Sequence, residues 1–262
     1  MVDSTSNLFD VSGKTALVTG GSRGIGLMIA EGLVQAGANV IVSSRKSADV
    51  HAAAEELAKL GACEAIPGDI STPEGATALA AATRERFPSL DILVNNAGVV
   101  WGAPLEEFPA VGWEKVLNTN VQGIFHLTSA LLPALRAAAA PNDPARVINI
   151  GSIDGLRVPS MENYSYSASK AAVHMLTRHL AKRLAAEHIT VNAIAPGPFE
   201  SKMMAFILDD PETREAVERE VPLGRIGRAD DVAGLTLLLA SRAGAYLTGT
   251  VIPLDGGITG CG

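Results

Sequence analysis

The sequence predicts a doubly wound α/β domain, with a parallel sheet of about seven strands covered by helices on both faces. Three observations lead there. Short apolar runs, "ALV", "VIV", "ILV", "VINI" and "VNAI", alternate along the chain with longer helical patterns. Those runs are apolar rather than strictly alternating, as strands buried on both faces read. No linker divides the 262 residues, so 1–262 is expected to be a single domain.

The elements follow in order. The first strand, 14–19 (KTALVT), feeds a helix from about Ile25 to Ala36. The strand 39–44 (NVIVSS) precedes a helix over 47–60, and 63–68 (CEAIPG) precedes one over 73–86. The fourth strand, 91–97 (DILVNNA), leads to a long helix over 112–138, kinked or interrupted near Pro133, which lacks a donor. Next come 145–152 (ARVINIGS), a helix over about 164–187, the strand 189–196 (ITVNAIAP), a helix at 230–240 and a last strand, 250–255 (TVIPLD). The segment 198–228 breaks this rhythm after a Pro-Gly-Pro turn. It follows the C-terminal end of a strand, where open α/β sheets bind ligands. That position predicts a mobile substrate lid, with a surface insertion as the alternative.

Composition narrows the function classes. With 47% hydrophobic residues the chain can bury a large core, and a net charge of −7 argues against a nucleic-acid footprint. No apolar run is long enough to span a bilayer, and the N-terminus "MVDSTSNLFD" lacks the basic and apolar regions of a signal peptide, so a cytoplasmic location without membrane contact is expected. Cys63 and Cys261 fit no disulfide framework, and His51, His126, His174, His179 and His188 form no metal-ligand pattern. They read as helix-face or loop residues, and no catalytic metal is expected.

"TGGSRGIG" (19–26) links the first strand to the first helix. Gly20, Gly24 and Gly26 permit a tight turn whose free N–H groups can face a diphosphate. A 2′-hydroxyl is usually held by an acidic residue about 20 residues on, yet the second strand ends "VSSRKS". Ser44 and Arg45 stand where that acid would be, and Arg23 lies in the turn. Two guanidiniums suit a 2′-phosphate, so the dinucleotide is read as NADP(H). The bland alternative makes Arg45 and Lys46 the solvated end of a strand.

The stretch "ENYSYSASKAAVHML" holds Tyr166 four residues before Lys170, which puts both on one helical face. A phenol titrates near 10, and a nearby ammonium favours its phenolate, so the pair can serve as a proton donor to a carbonyl becoming an alkoxide. Ser152 ends a strand just upstream, Asn120 lies in "LNTNVQG", and "NNAG" (95–98) ends the fourth strand. Tyr164 is six residues before Lys170, on a different face, and is expected in the pocket wall or on the surface.

TGxxxGxG, NNAG, Asn, Ser, YxxxK and "PG", in that order from about residue 12 to 257, resemble the short-chain dehydrogenase/reductase family. The resemblance implies a Rossmann fold. It makes Tyr166 the general acid in reduction and the base in oxidation, and has Lys170 lower its pKa and bind the nicotinamide ribose. Ser152 orients the carbonyl, and Asn120 holds a water in a proton relay. It implies further cofactor contacts from Ser22, Ile25, Asp69, Ile70, Asn96, Ala97, Gly98, Pro196, Gly197, Phe199 and Ser201, the last usually Thr. It also implies a homo-oligomer, dimer or tetramer, built on the Tyr–Lys helix, the helix before it and "LTGTVIPLDGG".

Within the family, "GGSRGIG", "LDILVNNAG", "WEKV", "PARVINIGS" and "GAYLTG" resemble NADPH-dependent 3-oxoacyl (β-ketoacyl) reductases, including the rhamnolipid-associated kind. That implies reduction of a 3-oxoacyl thioester, with Met203, Met204, Phe206, Ile207 and Leu208 offering an apolar channel. Members that use an acyl carrier present basic residues at the end of this helix, where Glu187 stands here, with Arg178, Lys182 and Arg183 nearby. A dehydrogenase of sugars, polyols, steroids or other secondary alcohols is the alternative. A non-catalytic NADP(H) sensor is a remoter one, disfavoured by the intact Asn–Ser–Tyr–Lys set.

Overall fold

A computed structural model describes residues 8–200 and 210–261 of the chain. Among them the strands are β1 (Thr15–Thr19), β2 (Asn39–Ser43), β3 (Cys63–Ala65), β4 (Ile92–Asn95), β5 (Ala145–Ile150), β6 (Ile189–Pro196) and β7 (Val251–Leu254). They form one parallel sheet in the order β3-β2-β1-β4-β5-β6-β7. The order reverses between β1 and β4, the switch point at which such sheets bind ligands beyond their carboxyl ends.

Successive strand residues point to opposite faces, and both faces are covered. Ala16, Val18, Ile92, Val94 and Ile148 pack with α1 (Gly24–Gln35), α2 (Ser47–Leu57) and α8 (Ala229–Ala240) in one core. Leu17, Leu93, Val147 and Val191 pack with α3 (Pro73–Arg86), α5 (Gly123–Ala138) and α6 (Tyr164–Leu184) in the other. Continuous apolar runs are the consequence. Helices α1 and α8 approach closely because Gly32 has no Cβ, which would stand 2.5 Å from that of Ala233.

The long helix departs from the sequence expectation. α4 (Ala110–Leu117) and α5 flank a π-helical turn, Asn118–Gln122, while Pro133 lies inside an unbroken α5. The interruption is therefore at Asn120, thirteen residues before the proline. The amide of Asn120 is bonded outside its own helix, and an extra residue in a helical turn re-aims the side chain there. α6 ends in a 3-10 turn (Ala185–Glu187) followed by His188 in the left-handed region at φ 55°.

The excursion contains α7 (Pro211–Glu220), begun by Asp210, whose side chain accepts from Thr213 N at 2.9 Å. It returns to the sheet where Phe199 bridges Gly227 and where Leu223 N donates to Gly256 O at 3.1 Å. A cavity of about 330 Å³ separates α7 from Met28 on α1, lined also by Glu200, Arg214 and Arg228. Residues 201–209, with the expected apolar channel and Ser201, lie outside the described residues. Among the described residues no helix is long and apolar enough to cross a membrane.

Candidate active site

The glycine turn and "NNAG" form one cradle across the β1–β4 junction. Gly20 and Gly24 are left-handed, at φ 65° and 54°. A Cβ on Gly20 would stand 2.7 Å from Asn96 Nδ2, and one on Gly26 would collide with both that atom and the carbonyl of Gly20. Asn96 is the staple, since its Nδ2 donates to the carbonyls of Thr19 (2.9 Å) and Gly20 (3.2 Å). Thr19 Oγ1 accepts from the N–H groups of Asn96 and Ala97, both at 3.0 Å. α1 then opens with no side-chain cap and no acidic residue in its first turn, which leaves its N–H groups available to an anion.

The rest of the expected dinucleotide contacts border this cradle. Ser22 and Ile25 are half-buried, and Arg23 and Arg45 are exposed. The buried hydroxyls of Ser43 and Ser44 have no hydrogen-bond partner among the described residues. Gly68 N donates to Ser44 O at 3.1 Å, which brings exposed Asp69 and buried Ile70 beside the end of β2. Pro196 ends β6, and Gly197 N donates to Leu254 O at 2.9 Å. Phe199 is buried, its ring filling the space a Cβ on Gly227 would need. An uncapped helix start, glycines that tolerate no side chain, orphaned hydroxyls at the end of β2 and two exposed guanidiniums fit a dinucleotide with a phosphate on its ribose.

The residues expected to carry the reaction meet at the carboxyl edge of β4 and β5. Ser152 is 8% exposed, and its Oγ accepts from Asp154 N at 3.1 Å. Its side chain acts on the phenol of Tyr166, favouring the ionised form, and Tyr166 is half-buried in the first turn of α6. Lys170 Nζ lies 5.4 Å from the centre of the Tyr166 ring and donates to Ile150 O at 2.8 Å. Asn120 Oδ1 accepts from Val99 N at 2.8 Å, while its Nδ2 donates to Val99 O (2.9 Å) and Ser169 Oγ (3.0 Å). Ser169 Oγ in turn donates to the carbonyl of Tyr166 at 2.7 Å. Asn120 thus clamps the loop after β4, where Gly98 packs, against the tyrosine helix.

The electrostatics correct one expectation. Lys170 was expected to depress the phenol, but burial pushes Tyr166 up to about 12, with the Ser152 side chain opposing and the Asp154 charge adding to the rise. Burial also brings Lys170 down to about 8, against the pull of Asp154. Both groups are driven toward neutrality because removal from water disfavours their charged forms. The ammonium is turned to the Ile150 carbonyl rather than to the phenol oxygen.

Three neighbours were not singled out from the sequence as site residues. Asp154 is two residues past Ser152, and Asn163 Nδ2 donates to its Oδ2 at 3.2 Å. His174, one turn beyond Lys170, is 4% exposed behind the serine loop. Gly151 leaves it room, and a Cβ on Gly155 would stand 2.8 Å from its Cε1. Burial and the Lys170 charge hold His174 down at about 4, so it is neutral. An acid just past the strand-end serine was the one readable signal. Tyr164, the decoy, is on the rim, donating to Glu162 Oε1 at 2.9 Å and stacked edge-on to Phe108. Cys63 is an inert thiol, raised to about 11 by burial.

Comparison with known proteins adds the following. A family model described as enoyl-(acyl carrier protein) reductase matches residues 20–259. A rhamnolipids biosynthesis 3-oxoacyl-[acyl-carrier-protein] reductase of Pseudomonas aeruginosa is 51% identical over 249 residues, 95% of this chain and 97% of that one. A 3beta-hydroxysteroid dehydrogenase 1 of Eggerthella lenta is 36% identical over 254 residues, 95% of each chain. Among solved structures, a Pseudomonas aeruginosa RhlG/NADP active-site complex superposes with a TM-score of 0.94 at 50% identity, covering 97% of this chain and 99% of that one.

Proposed function

Because the chain belongs to the short-chain dehydrogenase/reductase family, we propose that it is a cytoplasmic, homo-oligomeric reductase that transfers hydride from NADPH to the carbonyl of a 3-oxoacyl thioester or similar ketone. The observation that carries this reading is the contact of Ser152 with Tyr166 while Lys170 lies beneath the same ring, 5.4 Å from its centre. NADPH, when bound, supplies the hydride. Gly20, Ser22, Arg23, Gly24, Ile25 and Gly26 would hold its diphosphate, and Ser44 and Arg45 its 2′-phosphate. Asp69, Ile70 and the Asn96–Gly98 segment border the adenosine half, and Pro196, Gly197, Phe199 and Ser201 the nicotinamide half.

Tyr166 enters the reaction as a neutral phenol and gives its proton to the carbonyl oxygen as negative charge develops there. Ser152 donates its hydroxyl to the same oxygen, its own oxygen already anchored by Asp154 N. Lys170 spends one donor on Ile150 O and keeps two for ribose hydroxyls. Asn120 fixes the loop after β4 against α6, so a relay water would rest on its main-chain oxygen, its amide being engaged.

The 3-oxoacyl activity printed for the 51% identical relative supports the thioester class. Exposed Leu105, Leu156, Val158 and Met161 on the loops after β4 and β5 suit an acyl chain. At the end of α6, Glu187 binds Arg136 and Arg183, both at 2.6 Å, while Arg178 and Lys182 are exposed. That surface stays basic and suits an acidic carrier. Exposed Val111, Phe125 and Met175 on α4, α5 and α6, with Tyr246 before β7, support assembly.

The test is loss of NADPH absorbance at 340 nm with a panel of 3-oxoacyl thioesters, ketoses and keto-steroids. Turnover of thioesters ahead of the others is expected, and no turnover of any carbonyl by protein that binds NADPH overturns the reading. In the same assay Arg45→Ala is expected to weaken NADPH roughly 10- to 100-fold with little change for NADH. Equal losses for both would remove Arg45 from the phosphate site.

A further inference from the structure

One charged group at the reaction centre has no part in hydride or proton transfer. Asp154 sits in the 3-10 turn Ile153–Gly155, immediately after the serine strand. Its main chain is tied to the serine, since Asp154 N donates to Ser152 Oγ at 3.1 Å. Its side chain is tied to the tyrosine helix through Asn163, which is 3% exposed and donates to Asp154 Oδ2 at 3.2 Å. Asn163 also accepts from Ser167 Oγ at 2.9 Å, within the first turn of α6. The carboxylate is therefore held between the two elements that present Ser152 and Tyr166, and it cannot swing away without breaking that brace.

Its charge is felt by both reaction residues. It opposes ionisation of Tyr166 and favours the ammonium of Lys170. Arg157 and Lys170 stabilise the charge in turn, against the burial that disfavours it. A fixed anion in a partly desolvated pocket acts on any second anion brought beside it, because low-dielectric surroundings screen the repulsion poorly. A 3-oxo acid carries its carboxylate two bonds from the carbonyl carbon. With the carbonyl oxygen held by Ser152 and Tyr166, that carboxylate would come within reach of the Asp154 charge, which already bears on Tyr166 and Lys170. In a thioester or ester the same position is uncharged.

Resting on the carbonyl-reductase reading above, we propose that Asp154 is a specificity-determining residue that makes the site reject 3-oxo acid anions and accept 3-oxo groups whose carboxyl is masked as a thioester or ester. The substrate class is thus set partly by repulsion, as specific sites often are. It follows that a reaction forming an acyl thioester or ester must precede this step, since the free 3-oxo acid is turned away.

The experiment uses a matched pair of probes, ethyl acetoacetate and the acetoacetate ion, with NADPH and the full chain. The quantity read is the ratio of their kcat/KM values, which is independent of how much of a variant preparation is folded. A wild-type preference for the ester of roughly 100-fold is expected, falling at least about tenfold in Asp154→Asn. Asp154→Glu, which restores the charge, is expected to recover most of it. Quenching of bound-NADPH fluorescence by acetoacetate gives a readout free of turnover, and tighter acetoacetate binding in Asp154→Asn is expected there. A ratio unchanged by Asp154→Asn, or a wild type that takes ester and anion equally, overturns the proposal and leaves the reductase reading intact. A wild type that binds NADPH but reduces neither probe nor any longer 3-oxoacyl thioester overturns the reductase reading itself, and the binding comparison still decides whether Asp154 excludes the anion.

Discussion

At the scale of single residues, the pairing of Tyr166 with Lys170 has a consequence for pH. Burial leaves the phenol protonated up to about 12 and the ammonium charged only below about 8. Reduction needs a protonated phenol and is helped by a cation near the growing alkoxide. Lys170, with its pKa lowered, keeps its charge at neutral pH and loses it as pH rises through 8. The kcat/KM for carbonyl reduction is therefore expected to be flat from about pH 6 to 7 and to fall as pH rises through about 8, the apparent value belonging to the coupled pair. A profile that instead rises through pH 8 would contradict this assignment. The positions of Tyr166, Lys170 and Ser152 were legible because the four-residue spacing and a strand end fix them locally. The direction of the phenol's shift was not, because burial is a property of the assembled fold. Asp154 and His174 were equally hidden as site residues, since their partners Asn163, Gly151 and Gly155 meet them only once β5, its loop and α6 have packed.

At the scale of elements, the glycine turn is where backbone geometry bears on the proposed NADPH site. A Cβ on Gly26 would strike the Gly20 carbonyl, which is backbone and cannot rotate aside, together with the amide that staples β1 to β4. Gly26→Ala is expected to weaken NADPH binding at least about tenfold and to lower stability by about 1–3 kcal/mol, measured by fluorescence titration and denaturant unfolding. Gly234→Ala in α8 is the matched control, for nothing lies within 4 Å of its Cβ, and it should be neutral or slightly stabilising. Equal behaviour of the two variants would contradict the steric argument. All seven strands were legible in their place along the chain, though the expected 63–68 and 91–97 overrun β3 (Cys63–Ala65) and β4 (Ile92–Asn95), because apolar runs mark the middle of a strand better than its ends. The π-helical turn was not, because Pro133 drew the expected break, while the turn coincides with the long-range bonds between Asn120 and Val99. A proline inside α5 forfeits one hydrogen bond, which the packing of Leu127, Leu131, Ala134 and Leu135 offsets.

At the scale of the whole molecule, strand order does the functional work. Glycines near residue 20, the turn at 96–98, Asn120, Ser152 and the Tyr166–Lys170 pair are distant in sequence, and the parallel sheet delivers all of them to one edge. The alternation of strands and helices made that edge legible, whereas the excursion over it was readable only as a break in rhythm. The exposed apolar side chains on α4, α5 and α6 support the homo-oligomer proposed for the 27.1 kDa chain. Light scattering is expected to give the mass of two or four chains, and a monomer at micromolar concentration would contradict that. The measurement closest to the centre of the mechanism is single-turnover reduction by Tyr166→Phe with saturating NADPH. Loss of rate by at least about 100-fold, with NADPH affinity retained, is the expected result. Near-normal turnover by the phenylalanine variant would contradict the role given to this phenol.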